Sequence, residues 1–167
     1  HGPILDENVG YYINKYDIWS SYRPEDDGVL VAYASIHGNT EKAAKKMAEI
    51  LEEKGAKKVV VADLSRDDMA ETIEDAFRYD KLVVASSTYN MGIFPWMEHF
   101  LLHLKEKNYQ NRKVGIIENG SWAPNSGKLM KEMFLNMKDI SICDTMVTIK
   151  STMKDENIEQ MEKLVDE

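Results

Sequence analysis

Continuous apolar runs and amphipathic stretches alternate along most of this chain. Val29-Leu30-Val31-Ala32-Tyr33 is an unbroken apolar run, the mark of a strand buried on both faces. From Asn39 to Lys54, Ala43, Ala44, Met47, Ala48, Ile50 and Leu51 recur at helical spacing with Lys and Glu between them, and Gly55 supplies a stop. A second strand is predicted over Lys58–Asp63, a shorter helix over Met69–Tyr79 and a third strand over Lys81–Ser86. Pro95 opens a helix to Lys107, at a first-turn position that needs no N–H. A fourth strand over Lys113–Glu118, a helix over Ser126–Lys138, a fifth strand over Asp144–Ile149 and a last helix over Asp155–Val165 complete the pattern. Such alternation requires right-handed crossovers, and hence a parallel sheet covered on both faces.

Residues 1–27 depart from this pattern. Tyr11 to Tyr22 is dense in aromatics, and Tyr12, Tyr16 and Trp19 fall on one face of a helix. Arg23-Pro24-Glu25-Asp26-Asp27-Gly28 then breaks any regular element. Two readings fit: a short helix that docks on something, followed by a linker, and an arm folded onto its own domain.

A length of 167 residues suits one domain with an extra arm. Acidic residues total 29 and basic residues 21, a net charge of −8. That balance argues against general nucleic-acid or anionic-membrane binding. The single cysteine, Cys143, excludes an intramolecular disulfide framework and a cysteine-based zinc site. No apolar run approaches the roughly 18 residues of a membrane span. The start, His1-Gly2-Pro3-Ile4, has neither an initiator Met nor a signal-peptide pattern. A reducing, cytoplasmic setting is expected, and the chain is expected to be a piece of something longer.

In a doubly wound sheet, ligands bind beyond the carboxyl ends of the strands, at the switch in strand order. The loop after the first strand, Ser35-Ile36-His37-Gly38-Asn39-Thr40, runs straight into a helix. It offers two hydroxyls, an amide, a flexible glycine and the N–H groups of a helix start, an anion cradle suited to a phosphate monoester. It is neither a Walker loop nor the three-glycine dinucleotide fingerprint. A plain helix N-cap is the competing reading. The loop after the third strand, Ser86 to Trp96, can lay backbone groups along a planar heterocycle. The loop after the fourth strand, Glu118 to Gly127, carries an Asn-Gly turn signal and Trp122 at its tip. A loop tryptophan either stacks on a partner or folds down over the sheet edge.

Ser35-Ile36-His37-Gly38-Asn39-Thr40 resembles the phosphate loop of flavodoxins, and the resemblance covers about Gly28 to Glu167. Ser87-Thr88-Tyr89-Asn90-Met91-Gly92 and Asn119-Gly120-Ser121-Trp122 resemble more specifically the flavin loops of flavodiiron proteins, also called A-type flavoproteins. In that family a metallo-β-lactamase-like domain with two irons precedes a flavodoxin-like domain. His1-Gly2-Pro3-Ile4 and the aromatic stretch through Trp19 resemble the end of the former and the linker that follows. The implied fold is α/β, a flavodoxin-like doubly wound five-stranded parallel sheet in the order 2-1-3-4-5. The implied domains are 1–27, the end of the preceding domain and its linker, and 28–167, which binds FMN.

By the same resemblance Ser35, His37, Gly38, Asn39 and Thr40 would hold the phosphate. Thr88, Tyr89, Asn90, Met91 and Gly92 would line one side of the isoalloxazine ring. Asn119, Gly120, Ser121 and Trp122 would line the other, with Trp122 stacking. His1 would be an iron ligand only in the intact protein, whose diiron centre needs ligands from the missing domain. The implied function is electron transfer from a rubredoxin or a reductase to that centre, which reduces O2 or nitric oxide. A homo-oligomer is implied for the intact protein, and no residue here is an acid or base catalyst. The alternatives are a free-standing flavodoxin-like carrier and a flavin-free interaction module. A phosphoryl-receiver domain would need carboxylates where Ser35 and Ser86 stand, and an NAD domain with Asp63 on the ribose lacks the glycine fingerprint. His99 and His103, four apart on one helix, lack an apparent third metal ligand and are expected at the surface or its boundary.

Overall fold

The protein is described from a computed structural model covering residue 2 and residues 4–167. Helix α1 (Val9–Ser20) precedes strand β1 (Asp26–Ala34), helix α2 (Asn39–Glu53), strand β2 (Val59–Asp63) and helix α3 (Met69–Arg78). Strand β3 (Tyr79–Tyr89) turns back through the two-residue strand β4 (Gly92–Ile93) into helix α4 (Pro95–Glu106). Strand β5 (Arg112–Asn119), helix α5 (Ser126–Leu135), strand β6 (Ile140–Ile149) and helix α6 (Asp155–Asp166) follow. The main strands are parallel in the order β2-β1-β3-β5-β6, and β4 pairs antiparallel with β3 off that path. With the hairpin strand set aside, this is the expected flavodoxin-like order.

The unbroken apolar runs bury alternate residues on opposite faces, because side chains in a strand have a period of two. Leu30, Ala32, Leu82, Val84, Val114 and Ile116 face Phe100, Leu104, Met130 and Phe134. Val29, Val31, Tyr33, Val83 and Val147 face Ala43, Ala44, Met47 and Leu51 of α2 and Met161 and Leu164 of α6. Each fully buried Val, Leu, Ile, Phe or Met side chain among them contributes about 1.5–3 kcal/mol.

Three expectations shift. Strand β1 begins at Asp26, inside the stretch read as a break, because Asp26 pairs with Tyr79 and accepts from Arg78 Nε at 2.7 Å. Strand β3 runs past Ser86 to Tyr89, because Thr88 and Tyr89 pair with Ile93 and Gly92 across the hairpin. Strand β6 begins at Ile140 rather than Asp144, and a bulge hides the pattern. Register passes from Val114↔Ile142 to Ile116↔Met146, so Cys143, Asp144 and Thr145 together oppose Gly115. The Glu167 carboxylate accepts from Asp144 N at 2.6 Å and Thr145 N at 3.1 Å, which satisfies donors that the bulge takes out of the ladder.

Helix α1 buries no side chain. Its half-buried positions are Tyr12, Lys15 and Ile18, whereas Tyr16 and Trp19 of the expected docking face are exposed. Glu25 accepts from Lys15 Nζ and Trp19 Nε1, which ties the helix to the start of β1. Burial pushes the Glu25 carboxyl up, but those two donors prevail and hold it below the usual range.

At the amino-terminal edge of the sheet lies a buried cation. Arg112 is 3% exposed. Its guanidinium donates to the backbone carbonyls of Tyr79 at 2.8 Å, Tyr22 at 2.6 Å and Phe77. One side chain thus joins the N-terminal arm, the last turn of α3 and the first residue of β3. The α3 carbonyl is an acceptor the helix leaves unpaired, at the negative end of its dipole. Tyr109 packs beneath, with Arg112 Cζ 6.0 Å from its ring centroid. Burial lowers the Arg112 pKa, yet the planar fork matches several carbonyls in a way an ammonium cannot.

Arg112→Met is expected to cost about 3 kcal/mol, since it leaves buried carbonyls unpaired. Arg112→Lys should recover less than half of that. Urea unfolding measures both, and a loss below about 1 kcal/mol for Arg112→Met would show that the carbonyls find other donors.

Candidate functional site

The crossover from β1 to β2 and the return to β3 leave the loop after β1 at the switch in strand order. Gly38 is the N-cap of α2, in the left-handed region at φ 85°, and no side chain caps the helix. Glycine reaches that conformation without the strain of a Cβ. Lys42 N donates to Gly38 O at 3.0 Å, so the N–H groups of Asn39, Thr40 and Glu41 precede the first intrahelical bond. Ser35 Oγ accepts from Gly38 N at 3.0 Å, which shapes the loop instead of capping the helix. The N-cap reading of Ser35 or Asn39 is therefore replaced by an open helix terminus.

That terminus forms one wall of a cleft of about 130 Å³ lined by Ser35, Ile36, His37, Asn39, Thr40, Ser87, Thr88, Asn119, Gly120, Ser121 and Ser151. Four strand-end loops meet here. Thr40, 1% exposed, shares a 2.8 Å hydroxyl–hydroxyl hydrogen bond with Ser87. No lining side chain is a carboxylate, although the chain carries a net charge of −8. Neutral donors converging on a helix N-terminus suit a phosphate monoester. The residues present therefore fit the phosphate end of FMN.

Of the residues expected around the phosphate, Ser35, His37, Asn39 and Thr40 line the cleft, and Gly38 sets the helix start behind them. Ser87 and Ser151 join them and had not been assigned. Ser151 arrives from beyond β6 because Asn119 holds it there: Asn119 Nδ2 donates to Ser151 O at 3.0 Å and Ser151 N to Asn119 Oδ1 at 3.0 Å. The Asn119 amide is spent on positioning, although its residue borders the cleft.

The two loops expected to flank the ring are interlocked. Thr88 Oγ1 accepts from Asn125 N at 3.0 Å and Ser126 N at 3.2 Å. Glu118, buried at the end of β5, accepts from Gly127 N at 2.8 Å and Thr148 Oγ1 at 2.9 Å. These contacts cap α5 from two different strands. Gly120 permits the approach: a Cβ there would lie 2.9 Å from Pro124 Cα and 3.1 Å from Thr88 Oγ1. Asn90 and Met91 form the hairpin tip with φ of 47° and 60°. Tyr89, Met91 and Trp122 are exposed at 45%, 63% and 96%, so Trp122 projects from its loop and does not fold over the sheet edge.

Other candidates resolve differently. Asp63 accepts from Ser65 N at 3.0 Å, so the carboxylate weighed for a ribose is engaged locally. Burial, then Asp63, pushes the Tyr33 phenol up to about 12, so it stays protonated at neutral pH. His99 is exposed and His103 half-buried, with ring centroids 4.3 Å apart. Among the described residues no three His, Cys, Asp or Glu side chains form a group that could hold a metal. His1, expected as an iron ligand, lies outside the described residues. No helix among them is long and apolar enough to cross a membrane.

Comparison with known proteins places this geometry. Rubredoxin-oxygen oxidoreductase of Megalodesulfovibrio gigas is 25% identical over 168 residues, covering 98% of this chain and 40% of that protein. An uncharacterized protein of Methanocaldococcus jannaschii is 26% identical over 164 residues, covering 98% of this chain and 41% of its own length. A mutant flavo di-iron protein of Thermotoga maritima superposes with a TM-score of 0.82 at 27% identity, over 99% of this chain and 41% of that one. The chain thus spans about 40% of the length of the curated relatives it matches. The family model described as Flavodoxin matches residues 31–161, the region that contains the cleft and all of the sheet but the start of β1, and the chain belongs to the flavodoxin family.

Proposed function

We propose that this chain is the FMN-binding electron-transfer domain of a flavodiiron-type reductase of O2 or nitric oxide. The observation that carries the reading is the uncapped N-terminus of α2, opening onto a cleft of neutral donors at the sheet's switch point. The N–H groups of Asn39, Thr40 and Glu41 and the hydroxyls of Ser35, Thr40, Ser87 and Ser151 hold the phosphate. Loops 88–92 and 119–122 flank the ring, and Trp122 supplies a stacking face. When bound, FMN supplies one- and two-electron transfer, and the protein tunes it by stacking and hydrogen bonding.

The rest of the reading draws on the relatives. The names rubredoxin-oxygen oxidoreductase and flavo di-iron protein support a rubredoxin or a reductase as electron donor. They also support a diiron centre on another domain as acceptor. Residues 1–27 are then the end of that domain and its linker, and the intact protein works as a homo-oligomer in the cytoplasm. A free-standing flavodoxin-like carrier remains the second reading, favoured by a family match confined to residues 31–161.

Titration with FMN and with riboflavin tests the phosphate site directly. FMN should bind one per chain and roughly 100-fold tighter than riboflavin, the worth of two charge-assisted hydrogen bonds. Equal affinities would place the flavin elsewhere. Trp122→Ala should weaken FMN about fivefold, a stacking contribution on the order of 1 kcal/mol. Partial recovery of flavin fluorescence in the bound variant should accompany that loss. Full quenching retained in the variant would remove Trp122 from the site.

A further inference from the structure

Asn125 stands at the N-cap of α5 and does not cap it. Asparagine is among the best N-cap residues because its side-chain oxygen accepts from the first turn. In this protein that work is done by Thr88 and Glu118, which accept from Asn125 N, Ser126 N and Gly127 N. The Asn125 amide instead reaches across to the neighbouring loop, and its Nδ2 donates to Met91 O at 2.7 Å.

The acceptor is unusual in its own right. Asn90 and Met91 are consecutive left-handed residues, with φ of 47° and 60°, between the paired Tyr89 and Gly92. A two-residue hairpin turn of this kind favours glycine at its second position. Methionine there is strained, and such strain persists only where surrounding contacts over-determine it. The Met91 side chain is largely exposed, so packing does not hold the turn. Beyond the hairpin's own ladder pairs, the Asn125 hydrogen bond is the contact that reaches the turn from another loop.

We propose that Asn125 is a positioning residue for the flavin site: it fixes the left-handed Asn90–Met91 turn by holding the Met91 carbonyl. The consequence is that the N–H groups of Asn90 and Met91, next along the chain from the cleft-lining Thr88, keep one orientation in the loop that would flank a flavin ring. The inference rests on the FMN reading above.

A double-mutant cycle tests it, with FMN affinity and the thermal midpoint of the flavin-free protein as readouts. Asn125→Ala should loosen FMN about tenfold, the effect of releasing a turn that stores strain of this size. The flavin-free midpoint should fall by no more than about 4 °C, the worth of one exposed hydrogen bond less the strain it holds, because no cap is lost. Met91→Gly removes the strain, so in that background Asn125→Ala should change FMN affinity less than twofold. Wild-type affinity in Asn125→Ala, an equal loss in both backgrounds, or a fall in the flavin-free midpoint beyond about 4 °C would each overturn the assignment. Failure of the unmutated protein to bind FMN would overturn the reading beneath it as well, and that outcome is distinct from the other three.

Discussion

Every helix that follows a parallel strand begins at the same edge of the sheet, and its first N–H groups have no partner inside the helix. How each terminus is satisfied decides what the edge can do. Asp68 caps α3 through Ala70 N at 2.7 Å. Pro95 removes one donor from α4. Thr88 and Glu118 cap α5 from β3 and β5. Helix α2 receives no side-chain cap. At α6 the Asn157 side chain accepts from Lys154 N at 3.0 Å, and of the five helix starts that of α2 is the one that faces the cleft with the N–H groups of its first turn open. On the proposed reading a phosphate would complete what the fold leaves incomplete there, and the helix dipole would add to its attraction.

Much of this was legible in the sequence. The alternation of apolar runs and amphipathic stretches forces a parallel sheet, and the loop from Ser35 to Thr40 carries its chemistry in adjacent residues. What escaped is what separate strands bring together. Ser151 enters the cleft only because β6 lies beside β5 and Asn119 grips its backbone. The cap of α5 comes from Thr88, 37 residues before Asn125, a partner that no local pattern in the sequence marks. The start of β6 was misjudged because Cys143-Asp144-Thr145 breaks the apolar alternation at a bulge. The aromatic face of α1 misled because Lys15, not Tyr16, turns inward toward Glu25.

The two ends of the sheet divide the work. Neutral donors gather at the carboxyl end, around the cleft. At the amino end a buried guanidinium binds carbonyls from three segments, Tyr22, Phe77 and Tyr79. The helix-start N–H groups of Asn39, Thr40 and Glu41 have no intrahelical partner, and leaving such donors open costs stability. At the far end the Arg112 guanidinium, each of whose nitrogens donates to a carbonyl, offsets that cost without crowding the site.

The bulge in β6 has a consequence of another kind. An edge strand that offers an unbroken row of N–H and C=O groups invites pairing with a second chain. Strand β6 is such an edge, and its residues are mostly only half-buried. The three residues opposite Gly115 split it into Ile140–Ile142 and Met146–Ile149, and Glu167 occupies the N–H groups of Asp144 and Thr145. Each remaining piece is too short to template an intermolecular ladder, so the interruption that hides the strand from a reader of the sequence also hides it from neighbouring molecules, protecting the protein against aggregation through that edge.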